Sequence, residues 1–305
     1  MVYHETRIVN GKTQNYLVYT KREEKKIIKK SKFIGYGKIP KKQIEKLRKE
    51  FELEVISSMQ SDNLSKEQIM DIEKLRTTYH DKISSLSREE FEKFENTFFT
   101  ELTYDSNAIE GSSLSLEDTN LVINEGIVPK GKTLREINEA KNHIDAIKFI
   151  NNYNGDLDEQ FILKLHSIIL NNISERFAGR YRETTVRIFR NDVSFPDASK
   201  VAQLVGNLVY WYKLNKNKIH HFELAVLFSA KLVSIHPFID GNGRISRLIM
   251  NFLLSKKNYP WINIYMKQRS EYLHAVRLAN DEKYKPLLEF CINTLKKNLK
   301  SFNII

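Results

Sequence analysis

The chain has 305 residues, of which 41% are hydrophobic and 29% are charged, a composition typical of a globular protein. It contains no run of about 18 apolar residues, so we expect no membrane span, and the polar, basic N-terminus predicts no secretory signal. Because Cys291 is the single cysteine, an intrachain disulfide is excluded and we expect a cytoplasmic protein.

Positive charge is concentrated at the N-terminal end. Of the net charge of +11, residues 1–50 contribute +10, from 15 Lys and Arg against 5 Glu, and the other residues contribute +1. Two interpretations are open: a solvated, lysine-rich module, or a surface for an acidic partner such as nucleic acid. No known nucleic-acid-binding motif occurs in this region.

A small antiparallel β module is predicted for residues 1–37. The alternating first segment leads into Asn10-Gly11, the strongest short hairpin signal. The three strands are predicted at residues 3–9, 14–20 and 27–34. Because so small a sheet is marginally stable alone, we expect it to dock on another part of the chain.

An N-terminal helical region is predicted for residues 38–105, with Pro40 at the start of its first helix. Ser65 with Gln68, and Ser87 with Glu90, have the spacing of capping boxes, which satisfy free N–H groups at helix starts. The helix after Ser87 carries a stripe that we interpret as core, formed by Phe91, Phe94, Phe98 and Leu102.

Further helices are predicted to the end of the chain. Thr133 with Glu136, and Asp158, mark two of their starts. Residues 177–196 differ, because they have no helical period and predict a β-hairpin or an extended flap. The main predicted helices cover residues 116–125, 133–152, 198–214, 221–235, 269–280 and 285–299.

The polar groups suited to chemistry are concentrated between His236 and Arg247, which read His-Pro-Phe-Ile-Asp-Gly-Asn-Gly-Arg-Ile-Ser-Arg. Pro237 disfavours helical backbone before it, so the preceding helix should end here. Gly241 and Gly243 allow a tight turn into the next helix. Free N–H groups and the helix dipole then favour phosphate binding in this loop.

The side chains of this loop also favour phosphate binding. His236 can exchange a proton near neutral pH, and Asp240 is a carboxylate suited to Mg2+. Arg244 and Arg247 share a helix face and can present two guanidinium groups to a polyphosphate. Together with the amide of Asn242, these groups indicate phosphoryl or nucleotidyl transfer.

The stretch resembles the signature of the Fic family, H-P-F-x-[D/E]-G-N-G-R-x-x-R, at every defined position. Residues 106–111, S-N-A-I-E-G, are similar to the family's inhibitory motif, [S/T]-x-x-x-E-[G/N]. The resemblance implies an all-α fold, with a Fic-type helical core at residues 106–300 and a β-hairpin flap. The small antiparallel β module at residues 1–37 is an addition to that core.

The activity that the resemblance implies is protein adenylyl transfer, in which AMP moves from ATP to a Ser, Thr or Tyr hydroxyl of a protein substrate. His236 would accept the hydroxyl proton, and Asp240 would hold the cofactor Mg2+. Ser106 and Glu110 would inhibit, with Glu110 competing for Arg247. The implied nucleotide-binding residues are Gly241, Asn242, Gly243, Arg244, Arg247, Tyr272 and Asn280, and the implied flap tip comprises Ile188, Phe189, Arg190 and Asn191.

Alternatives to this activity stay open. Some family members remove AMP or transfer another nucleotide or phosphate-containing group, although Gly243 argues against the subgroup that has a lysine there. From a different class, the chain could act as a nucleic-acid-binding regulator through residues 1–37. A homodimer is compatible with the sequence, which does not determine the oligomeric state.

Overall fold

The computed structural model describes residues 2–23, 26–186 and 195–305. Within these residues it contains eleven α-helices and one three-stranded antiparallel sheet. The prediction of an all-α core with a small β module is therefore confirmed. The flap tip predicted at Ile188, Phe189, Arg190 and Asn191 lies outside the described residues.

The N-terminal sheet has the strand order β1-β2-β3, with β1 at Val2–Val9, β2 at Lys12–Glu23 and β3 at Lys26–Tyr36. The hairpin between β1 and β2 turns at Asn10 (φ 50°) and Gly11 (φ 73°). Positive φ at both positions is what the two-residue turn requires, and Asn and Gly tolerate it best. The predicted hairpin is confirmed.

One face of the sheet packs on helix α1 (Lys41–Ser57). Leu17 of β2 joins Phe51 and Val55 of α1 in a small apolar core separate from the main one. The segment after α1 is tied to the rest of the molecule, because Gln60 exchanges backbone hydrogen bonds with Lys218 and His220. The module therefore docks on α1, another part of the chain, as we expected from its size.

The remaining helices form the core and its surroundings. They are α2 (Lys66–Ser84), α3 (Arg88–Ile109), α4 (Leu116–Asn120), α5 (Leu134–Asn152), α6 (Glu159–Ile169), α7 (Val201–Asn215), α8 (His221–Ile235), α9 (Asn242–Ser255), α10 (Arg269–Asn280) and α11 (Lys285–Ser301). The predicted capping boxes at Ser65, Ser87 and Thr133 are present. A π-helical turn, Leu121–Glu125, continues α4 until Gly126 ends it in a left-handed conformation.

Helix α8 is the central element of the core. It is buried on nearly all sides and packs against α7, α9, α10 and α11. Phe222 and Phe228 are completely inaccessible to solvent. Such packing makes α8 a rigid support for the loop that follows it. None of the helices in the described ranges has the length and apolar character needed to cross a bilayer.

The flap predicted at residues 177–196 is described only at its two flanks. Residues 180–186 and 195–197 are neither helical nor paired as strands in the part that the structure describes. The described flanks are irregular, so the β-hairpin or extended flap stays a prediction. Phe177 and Ala178 lie in a turn, in which both N–H groups donate to the carbonyl of Ser174.

Candidate active site

His236 lies at the C-terminal end of α8, where Pro237 stops the helix. It adopts a left-handed conformation (φ 52°), and its N–H donates to the carbonyl of Leu232 at 3.1 Å. The imidazole stacks on Phe195 with a centroid separation of 4.0 Å. Burial lowers the pKa of His236 to about 4. The imidazole is therefore neutral at pH 7 and able to accept a proton.

The loop between α8 and α9 is held in shape by Asn242. Its side-chain amide donates to the carbonyl of Phe238 at 2.8 Å, and its side-chain oxygen accepts from the Phe238 N–H at 2.9 Å. Gly241 supplies the left-handed conformation (φ 81°) that turns the chain into α9. The amide that we assigned to a ligand is thus engaged within the loop, which leaves the backbone N–H of Asn242 for an anion.

His166 of α6 supports the same loop, and our sequence interpretation missed it. Its Nδ1 accepts from the N–H of Gly179 at 3.0 Å, so its Nε2 carries the proton and donates to the carbonyl of Asp240 at 3.1 Å. The ring also stacks on Phe238, with centroids 3.6 Å apart. Burial lowers the pKa of His166 to about 4, which agrees with the neutral form that these bonds require.

Asp240 takes part in a charged network at the mouth of the loop. Its carboxylate pairs with Arg244 at 3.2 Å and with Arg135 of α5 at 2.5 Å. Glu139 contacts both arginines, at 3.4 Å and 3.1 Å respectively. Burial acts to raise the pKa of Asp240, but Arg244 and the other donors outweigh it, so the pKa is lowered and the carboxyl is ionised. Arg135 and Glu139 are further contributors that the sequence alone did not indicate.

Arg247 is buried and joins α9 to α3. Its Nη2 donates to the carbonyl of Ser106 at 2.9 Å and to Oε1 of Glu110 at 2.8 Å, and its Nε donates to the Ser106 hydroxyl at 3.2 Å. Burial acts to lower the pKa of Arg247, and the Glu110 carboxylate outweighs this effect and raises it. The two motifs singled out in the sequence are thus in direct contact.

The Glu110 carboxylate lies over the first turn of α9. A Cβ atom added to Gly243 would be 2.2 Å from Oε1 of Glu110 and 3.1 Å from Nη1 of Arg247, so a glycine is required while Glu110 is in this position. Glu110 caps the C-terminal end of α3, and its side chain is 38% exposed. Its carboxylate therefore occupies the end of α9 at which free N–H groups and the helix dipole attract an anion.

Tyr272 and Asn280, the two residues of α10 predicted to contact the nucleotide base, have different neighbours. The guanidinium carbon of Arg247 is 6.0 Å from the centroid of the Tyr272 ring, which also packs on Phe290 and is only 6% exposed. Tyr272 thus supports Arg247 and presents almost no open surface. Asn280 is engaged by Ser234, whose hydroxyl donates to the Asn280 side-chain oxygen. Their contact with a nucleotide stays a prediction.

Arg182 joins both flanks of the flap segment to His236, and it too was missed. Its Nε donates to the carbonyl of His236 at 2.8 Å, its Nη1 to that of Thr184 at 3.0 Å and its Nη2 to that of Pro196 at 2.5 Å. The residue is 2% exposed. Because these acceptors are backbone carbonyls, no sequence pattern could reveal them.

Comparison with known proteins agrees with this geometry. Residues 156–254, which include the loop and both arginines of α9, match the model of the Fic/DOC family. The protein adenylyltransferase Fic of Drosophila grimshawi is 34% identical over 200 residues, which are 64% of this chain and 41% of that protein. Its Drosophila melanogaster counterpart is 33% identical, with 64% and 40% covered. The chain thus spans about two fifths of the length of these curated relatives.

Solved structures show the same fold over more of the chain. A Fic domain containing signaling protein from Bacteroides thetaiotaomicron is 26% identical, with a TM-score of 0.69 over 75% of this chain and 94% of that one. Fic-1 from C. elegans is 25% identical, with a TM-score of 0.68 over 86% of this chain and 77% of that one. The chain therefore contains a Fic/DOC family domain at residues 156–254.

Proposed function

We propose that this chain is a protein adenylyltransferase that transfers AMP from ATP to a Ser, Thr or Tyr hydroxyl of a protein substrate. One observation carries the proposal: the neutral imidazole of His236 lies beside a helix N-terminus that already holds a carboxylate. The relatives named protein adenylyltransferase Fic support it. We further propose a reducing, cytoplasmic location, which suits the free and buried thiol of Cys291.

The triphosphate would bind at the start of α9. The backbone N–H groups of Asn242 and Gly243 are at the free end of the helix, where anions bind favourably. The N–H of Gly241 would join them on release from the Asp240 carboxylate, to which it donates at 2.6 Å. Arg244 would hold the β-phosphate, and its buried Nε has no hydrogen-bond partner among the described residues. Arg247 would hold the γ-phosphate once Glu110 has left it. Tyr272 and Asn280 would border the base.

Asp240 fits the role of a Mg2+ ligand. It is ionised and its side chain is 38% exposed at the mouth of the loop, where Mg2+ would replace Arg135 or Arg244 as a partner of the carboxylate. Within the described ranges no group of three or more His, Cys, Asp or Glu side chains could hold a metal alone. That pattern is compatible with Mg2+, which usually binds through one or two carboxylates and substrate phosphates. When bound, the ion would offset negative charge on the phosphates.

His236 would perform the proton transfer. As the substrate hydroxyl oxygen bonds to the α-phosphorus, its proton passes to the neutral imidazole, and the bond to the β-phosphoryl oxygen breaks to release pyrophosphate. His166 and Asn242 would keep the loop in position. Positioning and fixed charges, rather than a covalent enzyme intermediate, would supply most of the rate acceleration.

Glu110 would keep the resting activity low, with Ser106 positioning Arg247 beside it. The Glu110 carboxylate and the γ-phosphate compete for Arg247 and for the same end of α9. A hydrogen bond to a charged group contributes about 1.5–3 kcal/mol, and the partial exposure of Glu110 favours the low end of that range. Removing this carboxylate should therefore raise productive nucleotide binding by about tenfold or more.

Incorporation of label from [α-32P]ATP into protein tests the proposal. We expect Glu110→Gly to label a proteome extract or itself at least about tenfold faster than the wild type. Adding His236→Ala should reduce that rate by about 10²–10⁴-fold, the usual contribution of a general base. Glu125→Gly is the matched control, because Glu125 is an exposed glutamate at another helix end, and it should behave as the wild type.

Other outcomes would change the assignment. Label that enters protein only from [γ-32P]ATP would identify phosphate transfer. Release of AMP from a previously modified protein, without labelling by any variant, would identify AMP removal. Equal labelling by the wild type and Glu110→Gly would contradict inhibition by Glu110 while leaving the transfer reaction intact.

A further inference from the structure

The sheet face that points away from α1 carries a continuous aromatic cluster. We call this the outer face and define it by Arg7, Tyr16, Phe33 and Tyr36. The ring centroids of Tyr16 and Phe33 are 5.5 Å apart, those of Phe33 and Tyr36 are 5.0 Å apart, and the Arg7 guanidinium lies 4.2 Å above the Tyr16 ring. The cluster therefore crosses all three strands.

These aromatic rings are not needed to close the core of the β module. Side chains alternate across a strand, and Leu17, next to Tyr16, faces α1 and is fully buried. By contrast, Phe33 is 44% exposed and Tyr36 is 62% exposed. Two large rings of the outer face thus remain exposed to solvent, and such exposed patches mark interaction sites.

Two lysines, Lys12 and Lys38, lie at the same end of the sheet as Tyr36. The N–H of Gly37 bonds to the carbonyl of Thr13, which brings Lys38 to the end of the sheet where Lys12 begins β2, beside Tyr36. Both lysines are exposed and have no ion-pair partner among the residues that the structure describes. Other cations of the sheet are paired. Lys32 pairs with Glu54 of α1 at 2.7 Å, and Glu5 pairs with Arg7 at 2.7 Å and with Lys29 at 3.1 Å.

Exposed aromatic rings next to free cations fit one partner best. Bases stack on aromatic side chains without much sequence preference, and lysines neutralise the phosphates between them. A second copy of this chain is disfavoured, because residues 1–37 carry nine Lys and Arg against three Glu, a net charge of +6, and two such modules would repel each other. A double helix is also disfavoured, because its bases are already stacked and cannot lie on the rings.

We propose that the outer face binds single-stranded nucleic acid, with bases stacked on Phe33 and Tyr36 and phosphates near Lys12 and Lys38. This site is separate from the one at α9 and uses none of its residues. It would bring the helical core to proteins that assemble on a single-stranded nucleic acid. The inference stands independently of adenylyl transfer.

Fluorescence anisotropy with the full chain tests the proposal. The probes are 12-residue oligouridine and oligothymidine and a duplex of the same length, each measured from 50 to 300 mM KCl without ATP. We expect both single strands to bind more tightly than the duplex, with affinity falling as salt rises because phosphate contacts release counterions. Phe33→Ala and Tyr36→Ala should each weaken binding of the single strands by about tenfold.

Matched variants separate stacking from general charge. Tyr210→Ala removes an equally exposed tyrosine, 64% exposed on α7, and should leave binding unchanged. Lys12→Glu with Lys38→Glu should weaken binding and reduce its salt dependence. An unchanged melting temperature in each variant would show that the sheet remains folded.

Several results would overturn the proposal. The proposal is wrong if the chain binds no single strand at 50 mM KCl, or if it binds the duplex as tightly as the single strands. It is also wrong if neither aromatic substitution changes single-strand binding. Complete competition by an equal concentration of an acidic peptide would also contradict it, because that would indicate a protein partner. Failure here would leave the labelling results for Glu110→Gly untouched, so the two proposals fail separately.

Discussion

The molecule contains two glutamate–arginine contacts of equal length in very different surroundings. Glu73 contacts Arg76 at 2.8 Å within α2, and Glu110 contacts Arg247 at 2.8 Å between α3 and α9. Glu73 is completely buried and also accepts from His220 and from the Tyr259 hydroxyl. Burial acts to raise the pKa of Glu73, but these partners outweigh it and lower the pKa.

Glu110 has fewer partners and more access to water. Its side chain is 38% exposed, and Arg247 is its one hydrogen-bonding partner among the described residues. If Glu110 leaves, Arg247 keeps its bonds to Ser106. The comparison teaches that the number of internal partners, rather than the ion-pair distance, separates a fixed structural contact from one that a ligand can replace.

The largest effect should follow from Glu73→Ala. The substitution leaves the buried His220 and Tyr259 and the partly buried Arg76 without their shared acceptor, so the free energy of unfolding should fall by about 3–5 kcal/mol. Urea denaturation followed by circular dichroism measures this change. Glu92→Ala, which removes an exposed glutamate paired with Arg88, is the control and should have no measurable effect. An equally small effect for Glu73→Ala would invalidate the distinction.

Glu110→Gly, unlike Glu73→Ala, should change ligand binding and not the stability of the free protein. Its melting temperature without ligand should stay close to that of the wild type, because Arg247 retains Ser106 and glycine is tolerated at a helix end. In Mg·ATP, a nucleotide bound about tenfold more tightly should raise the melting temperature by about 2 °C more than in the wild type. Differential scanning fluorimetry provides the measurement. The same ATP-induced shift in both proteins would show that Glu110 does not compete with nucleotide.

An effect of intermediate size should follow from changing Arg182, a buried arginine whose hydrogen bonds all go to backbone carbonyls. In the Glu110→Gly background, Arg182→Lys keeps the charge but cannot reach three acceptors at once. Losing two hydrogen bonds should lower kcat/KM for a protein substrate by about tenfold, while the KM for ATP stays unchanged. Arg180→Lys, at an exposed neighbouring arginine, is the control. A change in the KM for ATP alone would contradict a role at the flap.

The smallest effect should come from pH between 6 and 8. Burial holds the pKa of His236 at about 4, below its usual 6.5, so the imidazole stays neutral across this interval. In Glu110→Gly, kcat/KM should be flat from pH 6 to 8 and decline only as pH falls towards 4, where the base becomes protonated. Steady-state labelling rates at each pH measure the profile. An inflection near 6.5 would show that the imidazole is not shielded in the free enzyme.

Local features of this protein follow from the amino-acid sequence by itself. The capping boxes at Ser65, Ser87 and Thr133 and the hairpin at Asn10-Gly11 depend on contacts within three or four residues, so the sequence specifies them directly. The stretch from His236 to Arg247 is equally local, because one turn and one helix start carry most of its groups.

Contacts between residues far apart in the sequence depend on how the helices pack, so only the tertiary structure shows them. Arg135 meets Asp240 across 105 positions and Ser106 meets Arg247 across 141. Arg182 and His166 act through backbone groups, which every residue possesses and which therefore leave no trace in side-chain patterns. The resemblance to the family's inhibitory motif identified Glu110 as a candidate, whereas the packing of α3 against α9 determined that its carboxylate lies over Gly243.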